Sequence, residues 1–270
     1  MLAQLNGVKP AMPVRGCEFS VFSQFGEDGI IQKLITSVRI AHRTFIEFGV
    51  EDFAESNCLF LMMKNNWRGF VIDGSERWIT AVRRHDGFWK YDLRTRCAFM
   101  TRDNVNAVLQ ESGFDRDVGV MSVDVDGVDY WLLEALTAVA PRILIVEYNS
   151  LFGAERSITV PYSEHFSRRQ QHYSDLYSGA SLGALVHLAA VKGYSLVGTE
   201  SAGVNAFFVR DDLRNHDVQA VSIVHLFQHS QVRQRRNRVG KLDYLTHQER
   251  AAAIRGMPVI NVLTGATEDF

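Results

Sequence analysis

Three aspartates crowd one short stretch of the chain, SVDVDGVDYW. Asp124, Asp126 and Asp129 fall within six positions and directly follow an apolar run. Because successive side chains of a strand point to opposite faces, Asp124 and Asp126 are expected on the same side. Glu147 and Asn149 end the next apolar run. Together with the two aspartates they would form an all-oxygen site suited to Mg²⁺ or Ca²⁺.

The same aspartates have an alternative explanation that needs no ion. In that interpretation Asp126 caps a helix that begins at Val128, and Asp124 pairs with a nearby arginine. Asp129 is expected in the first turn of the helix in either case. The residue types leave both interpretations open.

Proton transfer is the second kind of chemistry that the sequence offers. A positioned base typically contributes about 10²–10⁴-fold to a rate, and histidines and carboxylates are the usual candidates. His165 and His172 lie in the irregular segment 150–177, where a substrate could dock. We therefore predict Asp124, His165 and His172 as the catalytic residues.

Further polar residues are predicted at the carboxyl ends of strands, where open α/β sheets bind their ligands. Asp73 closes the run GFVIDG, and a carboxylate there can accept hydrogen bonds from both ribose hydroxyls of an adenosine ligand. The alternative is an acid favoured by the dipole of the next helix, for which Ser75 is the expected N-cap. The predicted cofactor-binding residues are Gln24, Glu47, Gly49, Asp73, Ser75 and Asp92.

Apolar runs that alternate with segments of helical periodicity must position these residues. The predicted strands cover 44–50, 69–74, 87–93, 118–125 and 142–149, followed by YSLVGTE and NAFFVR. Only SAGV separates the last two, which is too short for a parallel crossover, so they should form an antiparallel hairpin. The predicted fold is an α/β, Rossmann-like sandwich with a mostly parallel seven-stranded sheet and a C-terminal antiparallel β-hairpin.

The chain divides into three predicted parts. An N-terminal arm at 1–22 precedes a domain at 23–213, which contains the insertion 150–177 on the side where an acceptor would bind. A helical extension follows at 214–270, and THQE at 246–249 predicts a capping box within it.

Composition excludes several classes of protein. The 270 residues are 46% hydrophobic and 22% charged, as in one α/β domain with additions. A formal net charge of -2 provides no field that would recruit nucleic acid. Cys17, Cys58 and Cys97 show no disulfide or zinc spacing. With no signal-peptide core and no apolar run of ~18 residues, we expect a cytoplasmic protein without a transmembrane segment.

Several motifs resemble one family when taken in order. FSQFGEDGII, FIEFGVEDFAESN, NWRGFVIDGSE and DVDGVDYW are similar to the FkbM-type methyltransferases, over about residues 20–210. EYNSLFG, LYSGASLGAL and NAFFVR are shared with a bacterial subgroup. Five strand–helix units followed by a helix and a hairpin is also the element order of class I S-adenosylmethionine-dependent methyltransferases.

The resemblance implies a function and a cofactor. It implies O-methylation of a sugar or glycan hydroxyl, with S-adenosylmethionine as cofactor and Glu47 beneath its methionine amino group. The family usually carries D-x-G-A-x-x-G in the first turn, whereas here Phe53 stands at the second glycine. We expect the Phe53 side chain to crowd the space that a ligand would use.

The acceptor and the reaction class have alternatives. Arginines in QVRQRRNR match phosphate geometry, which suits a nucleotide-sugar or lipid-linked pyrophosphate acceptor, although a solvated face is the more common explanation of such a run. Asp124-Val125-Asp126 is also typical of metal-dependent glycosyltransferases and nucleotide-sugar-binding proteins. VMSVDVDG imitates the nucleophile loop of haloacid-dehalogenase-type phosphatases, although that loop normally follows the first strand. A glycan-binding protein without turnover and a homo-oligomer also stay open.

Overall fold

The computed structural model describes residues 14–232 and 235–270. Residues 1–13 of the expected N-terminal arm, and Arg233 of the arginine-rich segment, lie outside the described residues. The rest of the arm packs on the domain, because Arg15 donates a hydrogen bond of 2.6 Å to Thr199 Oγ1. Within the described ranges, every helix is too short or too polar to cross a membrane. Cys17, Cys58 and Cys97 are free thiols.

Helices and strands are numbered in chain order. The helices are α1 Glu27–Ser37, α2 Leu59–Asn65, α3 Glu76–Arg84, α4 Val105–Gln110, α5 Asp129–Ala135, α6 Arg168–Gln171, α7 Leu182–Val191, α8 Ile223–Leu226 and α9 His247–Ala253. The strands are β1 Thr44–Phe48, β2 Arg68–Asp73, β3 Leu93–Cys97, β4 Val120–Val123, β5 Ile143–Glu147, β6 Ile158–Thr159, β7 Tyr194–Thr199, β8 Asn205–Arg210, β9 Pro258–Asn261 and β10 Thr267–Asp269.

The central sheet has seven strands in the order β3-β2-β1-β4-β5-β8-β7. Strands β1 to β5 pair in parallel, and β8 runs antiparallel to both β5 and β7. The strand order reverses between β1 and β4, which is the position where open α/β sheets bind ligands. The predicted α/β sandwich with a mostly parallel sheet and a terminal hairpin is confirmed.

Alternating side chains of the strands supply two separate cores, one on each face of the sheet. In β5, for example, Leu144 and Val146 pack with α4, α5 and α7, while Ile143 and Ile145 face the core formed with α1, α2 and α3. A strand buried on both faces reads as a continuous apolar run. This is why ILIV in β5 was recognisable as a strand from its sequence.

The third strand begins later than predicted. Phe88–Lys90 within the expected strand 87–93 is a short 3-10 helix, and β3 starts only at Leu93. Phe88 is buried, and its ring lies 5.8 Å from that of Phe53. The Phe88 ring therefore anchors a loop to the core, and β3 is an edge strand of alternating half-buried and exposed residues.

A small second sheet joins the insertion to the C-terminal residues. Strand β6 of the segment 150–177 pairs with β9, which pairs with β10, in both cases antiparallel. The capping box predicted for THQE is confirmed at the start of α9. Thr246 N donates to Glu249 Oε2 at 2.8 Å, and Glu249 N donates back to Thr246 Oγ1 at 3.4 Å. The residues after 213 thus form short helices and two strands.

Candidate active site

A cleft of about 1030 Å³ opens at the carboxyl ends of the parallel strands. The turns after β1, β2, β4 and β5 form its floor, and the segment from Ser150 to Gly179 forms one wall. Carboxylates from four of these strand ends line it, namely Glu47, Asp73, Asp124 and Glu147. The cleft is therefore polar and rich in acids, unlike a packing defect.

Gly49 allows the first turn of the cleft to lie against the loop after β4. Its φ is +70°, and a Cβ atom on this residue would lie only 1.7 Å from the Asp124 carbonyl oxygen. Only glycine fits a left-handed conformation with such a close neighbour. The glycine thus serves the approach of two backbone segments, and it places Glu51 beside Asp73.

Phe53 does not enter the cleft, so the expectation that it crowds the ligand space is wrong. Its φ of +62° is the left-handed conformation that glycine would otherwise supply. The side chain is fully buried, with ring centroids 6.3 Å from Phe45 and 5.8 Å from Phe88. The backbone therefore follows the course expected for a glycine turn while the ring fills the core below it.

Glu47 holds the start of α2 from inside the cleft. Its Oε2 accepts from Ser56 Oγ at 2.5 Å, and its Oε1 accepts from Asn57 N at 2.8 Å. Burial raises the pKa of this carboxyl to about 7, and the hydrogen bond from Ser56 opposes that shift. Glu47 lines the cleft as predicted, but it also has a structural task.

Asp73 is the acid whose geometry best suits an adenosine ligand. It ends β2 and is 8% exposed. Its Oδ1 accepts from Ser75 N at 2.7 Å, and its Oδ2 accepts from Glu51 N at 2.9 Å. Each oxygen keeps a further lone pair, and burial raises the pKa of the carboxyl. The side chain is therefore fixed in place and still able to accept hydrogen bonds from a ligand.

Two aromatic side chains of the cleft were missed in the sequence. Trp78 and Phe99 both line it, and Phe99 is 51% exposed and lies against Gly74, next to Asp73. Exposed aromatic rings beside a polar group are typical of binding sites for flat ligands. The sequence AFM directly after β3 could have indicated Phe99. It was overlooked because the third strand was predicted to begin at 87, six residues before Leu93.

The remaining predicted cofactor residues separate into two groups. Ser75 and Gln24 line the cleft, and Gln24 Nε2 donates to Glu55 Oε2 at 2.7 Å. Asp92 lies at the opposite edge of the sheet, because it precedes β3 instead of ending it. There it forms an exposed ion pair of 2.6 Å with Arg68. This position places Asp92 outside the cleft.

The acidic cluster of Asp124, Asp126 and Glu147 lies at the centre of the cleft. Each of the three offers an oxygen, and the three oxygens lie within 4.8 Å of one another. The Asp124 and Glu147 carboxyl groups interact directly with each other. Burial and then the charge of Asp126 raise the pKa of Asp124 to about 6. Burial and then the charge of Asp124 raise the pKa of Glu147 well above its usual range.

The helix-cap explanation for the aspartates is wrong in its details. Val128 is the N-cap of α5, and no side chain caps that helix. Asp126 has a φ of +57° and pairs with Arg168 Nη1 at 2.5 Å. Asp129, the first residue of α5, accepts from Val125 N and Gly127 N of the preceding loop at 2.7 and 3.0 Å. Asp129 thus holds the loop that presents the other two carboxylates.

Asn149 lines the cleft and is hydrogen-bonded to its wall through both ends of its side-chain amide. Its Oδ1 accepts from Leu151 N at 3.0 Å, and its Nδ2 donates to the carbonyls of Leu176 and Ser178. These bonds use both amide hydrogens and one oxygen lone pair. The residue anchors the irregular segment to the end of β5.

Neither predicted histidine lines the cleft. His165 is exposed on the outer loop, and the Nδ1 of His172 is hydrogen-bonded to Ser174 Oγ at 2.7 Å. Burial lowers the pKa of His172, with a further contribution from Arg238. Among the predicted catalytic residues, the structure brings only Asp124 into the cleft.

The acidic cluster makes the stability of the protein depend on pH. In the absence of divalent cations, we expect the free energy of unfolding to fall as the pH rises from about 5 to 8. The folded protein retains protons on Asp124 and Glu147 that the unfolded chain, with ordinary values of 3.8 and 4.5, has already lost. Glu147→Gln removes one charge and should make the protein about 1–2 kcal/mol more stable at pH 8. Urea titrations in a chelating buffer at pH 5 and 8 measure this.

The matched control for that experiment is Glu155→Gln, because Glu155 is exposed and outside the cleft. Its pH dependence should equal that of the wild type. If the free energy of unfolding changes with pH in the same way for the wild type and Glu147→Gln, charge repulsion in the cluster does not destabilise the folded protein.

No protein-family model matches the sequence, and no curated protein matches it. The structure is similar to the N-terminal domain of EvdMO1, crystallised in the presence of SAH and D-fucose, at 13% identity and a TM-score of 0.45 over 70% of this chain and 83% of that one.

Two further solved structures are similar at lower coverage of their own length. One is the CurJ carbon methyltransferase, at 13% identity and a TM-score of 0.43 over 72% of this chain and 53% of that one. The other is the geranyl diphosphate C-methyltransferase of Streptomyces coelicolor A3(2), at 13% identity and a TM-score of 0.39 over 63% and 61%. This chain therefore covers less than two thirds of the length of each of these two proteins. What it does must be inferred from its own cleft.

Proposed function

We propose that the protein is an S-adenosylmethionine-dependent O-methyltransferase that acts on a hydroxyl of a sugar or glycan and holds Mg²⁺ in its acidic cluster. One observation carries the proposal. A buried carboxylate suited to ribose, Asp73, and a cluster of three carboxylates, Asp124, Asp126 and Glu147, line one cleft at the switch point of the sheet.

The cofactor half of the cleft consists of the strand ends of β1 and β2. Asp73 would accept hydrogen bonds from the ribose hydroxyls, and Phe99 and Trp78 would flank the flat base. Glu47 lies at the end of β1, where an ammonium group would find a buried counter-charge. S-adenosylmethionine, when bound, supplies the electrophilic methyl group.

The acceptor half is the acidic cluster. Its oxygens lie within 4.8 Å of one another, which is inside the roughly 5.2 Å that two ligands of one Ca²⁺ ion can span. Ligands of one Mg²⁺ ion span at most about 4.2 Å, so Mg²⁺ would draw the carboxylates closer together. A divalent cation there would lower the pKa of an acceptor hydroxyl. Asp124 lies in the same cluster, where its carboxylate can accept the proton of that hydroxyl.

The wall of the cleft opposite the cofactor half suits an acceptor that carries an anionic group. Arg168 and Arg169 of α6 line it, and Arg169 is 70% exposed. Guanidinium groups match phosphate oxygens, which supports a lipid-linked or nucleotide-linked saccharide as acceptor. A second candidate function is a metal-dependent glycosyltransferase or nucleotide-sugar-binding protein. It is supported by the same two arginines together with Asp124 and Asp126.

Cofactor binding is the first test. The wild type should bind S-adenosylhomocysteine in isothermal titration, and Asp73→Ala should weaken binding by about 10–100-fold, the usual range for a lost hydrogen bond to a charged group. Asp92→Ala is the matched control, because Asp92 is an aspartate at the opposite edge of the sheet. Its affinity should equal that of the wild type.

The outcomes separate the candidate functions. Binding of a nucleoside diphosphate with Mn²⁺ but not of S-adenosylhomocysteine would replace the methyltransferase by the glycosyltransferase. Equal affinities of Asp73→Ala and the wild type would remove Asp73 from the site. After cofactor binding, a panel of sugars and nucleotide sugars with methyl-labelled S-adenosylmethionine identifies the acceptor class.

A further inference from the structure

A second cavity lies at the opposite edge of the sheet from the acidic cluster. Its volume is about 260 Å³, and α5, α7 and the strands β5 and β8 enclose it. The residues that precede β4 and β5, Arg116 and Pro141, form its mouth. It therefore opens at the amino ends of the parallel strands, far from the cleft of the proposed function.

The interior of this cavity is apolar. Leu133, Leu136, Leu185, Leu188 and Phe208 line it, and each is at most 8% exposed. Apolar cavities of roughly 150 Å³ stay dry and bind benzene, with six carbons. By proportion, the cavity accommodates roughly ten non-hydrogen atoms. An apolar void of this size in a core weakens packing, so a ligand that fills it would stabilise the fold.

Positive charge marks the rim. Lys192, at the end of α7, and Arg116 both line the cavity, and Lys192 Nζ donates to the Leu136 carbonyl at 2.9 Å. Within the described residues, no carboxylate lies within ion-pair distance of either side chain. Burial lowers the pKa of Lys192, and the charge of Glu134 opposes the shift. A half-buried ammonium without a paired anion favours a ligand that supplies one.

We propose that this cavity binds a small amphipathic anion, with a hydrocarbon chain among the leucines and a carboxylate at Lys192 and Arg116. The hydroxyl of Tyr194 does not compete for the head group, because it donates to the Pro141 carbonyl at 2.7 Å. The apolar volume favours a ligand with a hydrocarbon chain, and the two cationic side chains favour a negatively charged head group.

Octanoate, with ten non-hydrogen atoms, is the probe for this site. Isothermal titration below its micelle concentration should show one octanoate per chain and a raised melting temperature. Octanol, which keeps the chain without the charge, should bind about 10–100-fold more weakly. Lys192→Gln should weaken the binding of octanoate by the same factor and leave the affinity for octanol unchanged. Ala189→Phe, which fills the cavity, should abolish binding of both.

Lys64→Gln is the matched control, since Lys64 also lies at the end of a helix but is exposed and away from the cavity. It should bind octanoate as the wild type does. Equal affinities for octanoate and octanol, unchanged in Lys192→Gln, would overturn the anion site. Absence of octanoate binding to the wild type would identify the cavity as a packing void. The circular dichroism spectrum of each variant provides an independent check that the fold is intact.

Discussion

Asp124→Asn is expected to lower the rate of methyl transfer by about 10²–10⁴-fold, the usual contribution of one positioned base. Asp124 contributes a carboxylate oxygen to the acidic cluster and can accept a proton, whereas asparagine keeps the shape of the side chain without its charge or its basicity. The rate is measured with labelled S-adenosylmethionine and an acceptor from the sugar panel. Exhaustive chelation of the wild type should reduce the rate comparably, and Mg²⁺ should restore it.

The same variants distinguish a cation from a shared proton. If a cation neutralises the cluster, Asp126→Asn and Glu147→Gln also lose activity, and Mg²⁺ binding measured by titration disappears in both. If a shared proton neutralises the cluster instead, chelation has no effect on the rate and Asp126→Asn stays active. Asp92→Asn is the control, because that carboxylate is outside the cleft. Full activity of chelated Asp124→Asn would exclude the cluster from catalysis altogether.

Phe53→Ala is expected to lower the free energy of unfolding by about 3–5 kcal/mol, as for other fully buried phenylalanines. The ring is inaccessible and packs between Phe45 and Phe88. Phe53→Gly should lower the free energy of unfolding by less, about 2–4 kcal/mol. Glycine removes the strain of roughly 1–2 kcal/mol that the left-handed backbone at φ +62° imposes on other residues. Urea titration at fixed pH measures both.

Phe99→Ala is the matched control for stability, since that ring is half exposed. It should change the free energy of unfolding by less than about 0.5 kcal/mol. Phe53→Gly should also bind S-adenosylhomocysteine no more tightly than the wild type, because Phe53 does not line the cleft. A gain in affinity would show that the ring obstructs the cofactor after all.

The order of the elements could be predicted from the sequence because it depends on local pattern and connectivity. Apolar runs identified four of the five parallel strands, and the short SAGV connection required an antiparallel hairpin between β7 and β8. The same locality explains the capping box at Thr246. Asp124 and Asp126 both lie in the cleft as predicted. The reason is different, because β4 ends at Val123 and a loop with Asp126 at φ +57° brings them together instead of strand alternation.

Only the tertiary structure decided which partners these residues have. The pairing of Glu147 with Asp124, the ion pair of Arg168 with Asp126 and the use of Asn149 as an anchor join segments that the sequence does not bring together. Phe88 is buried in a 3-10 turn before β3, so that strand begins only at Leu93 and Asp92 lies at its amino end, outside the cleft. Periodicity records which face of an element is buried, but the contacts made there depend on packing between residues distant in the chain.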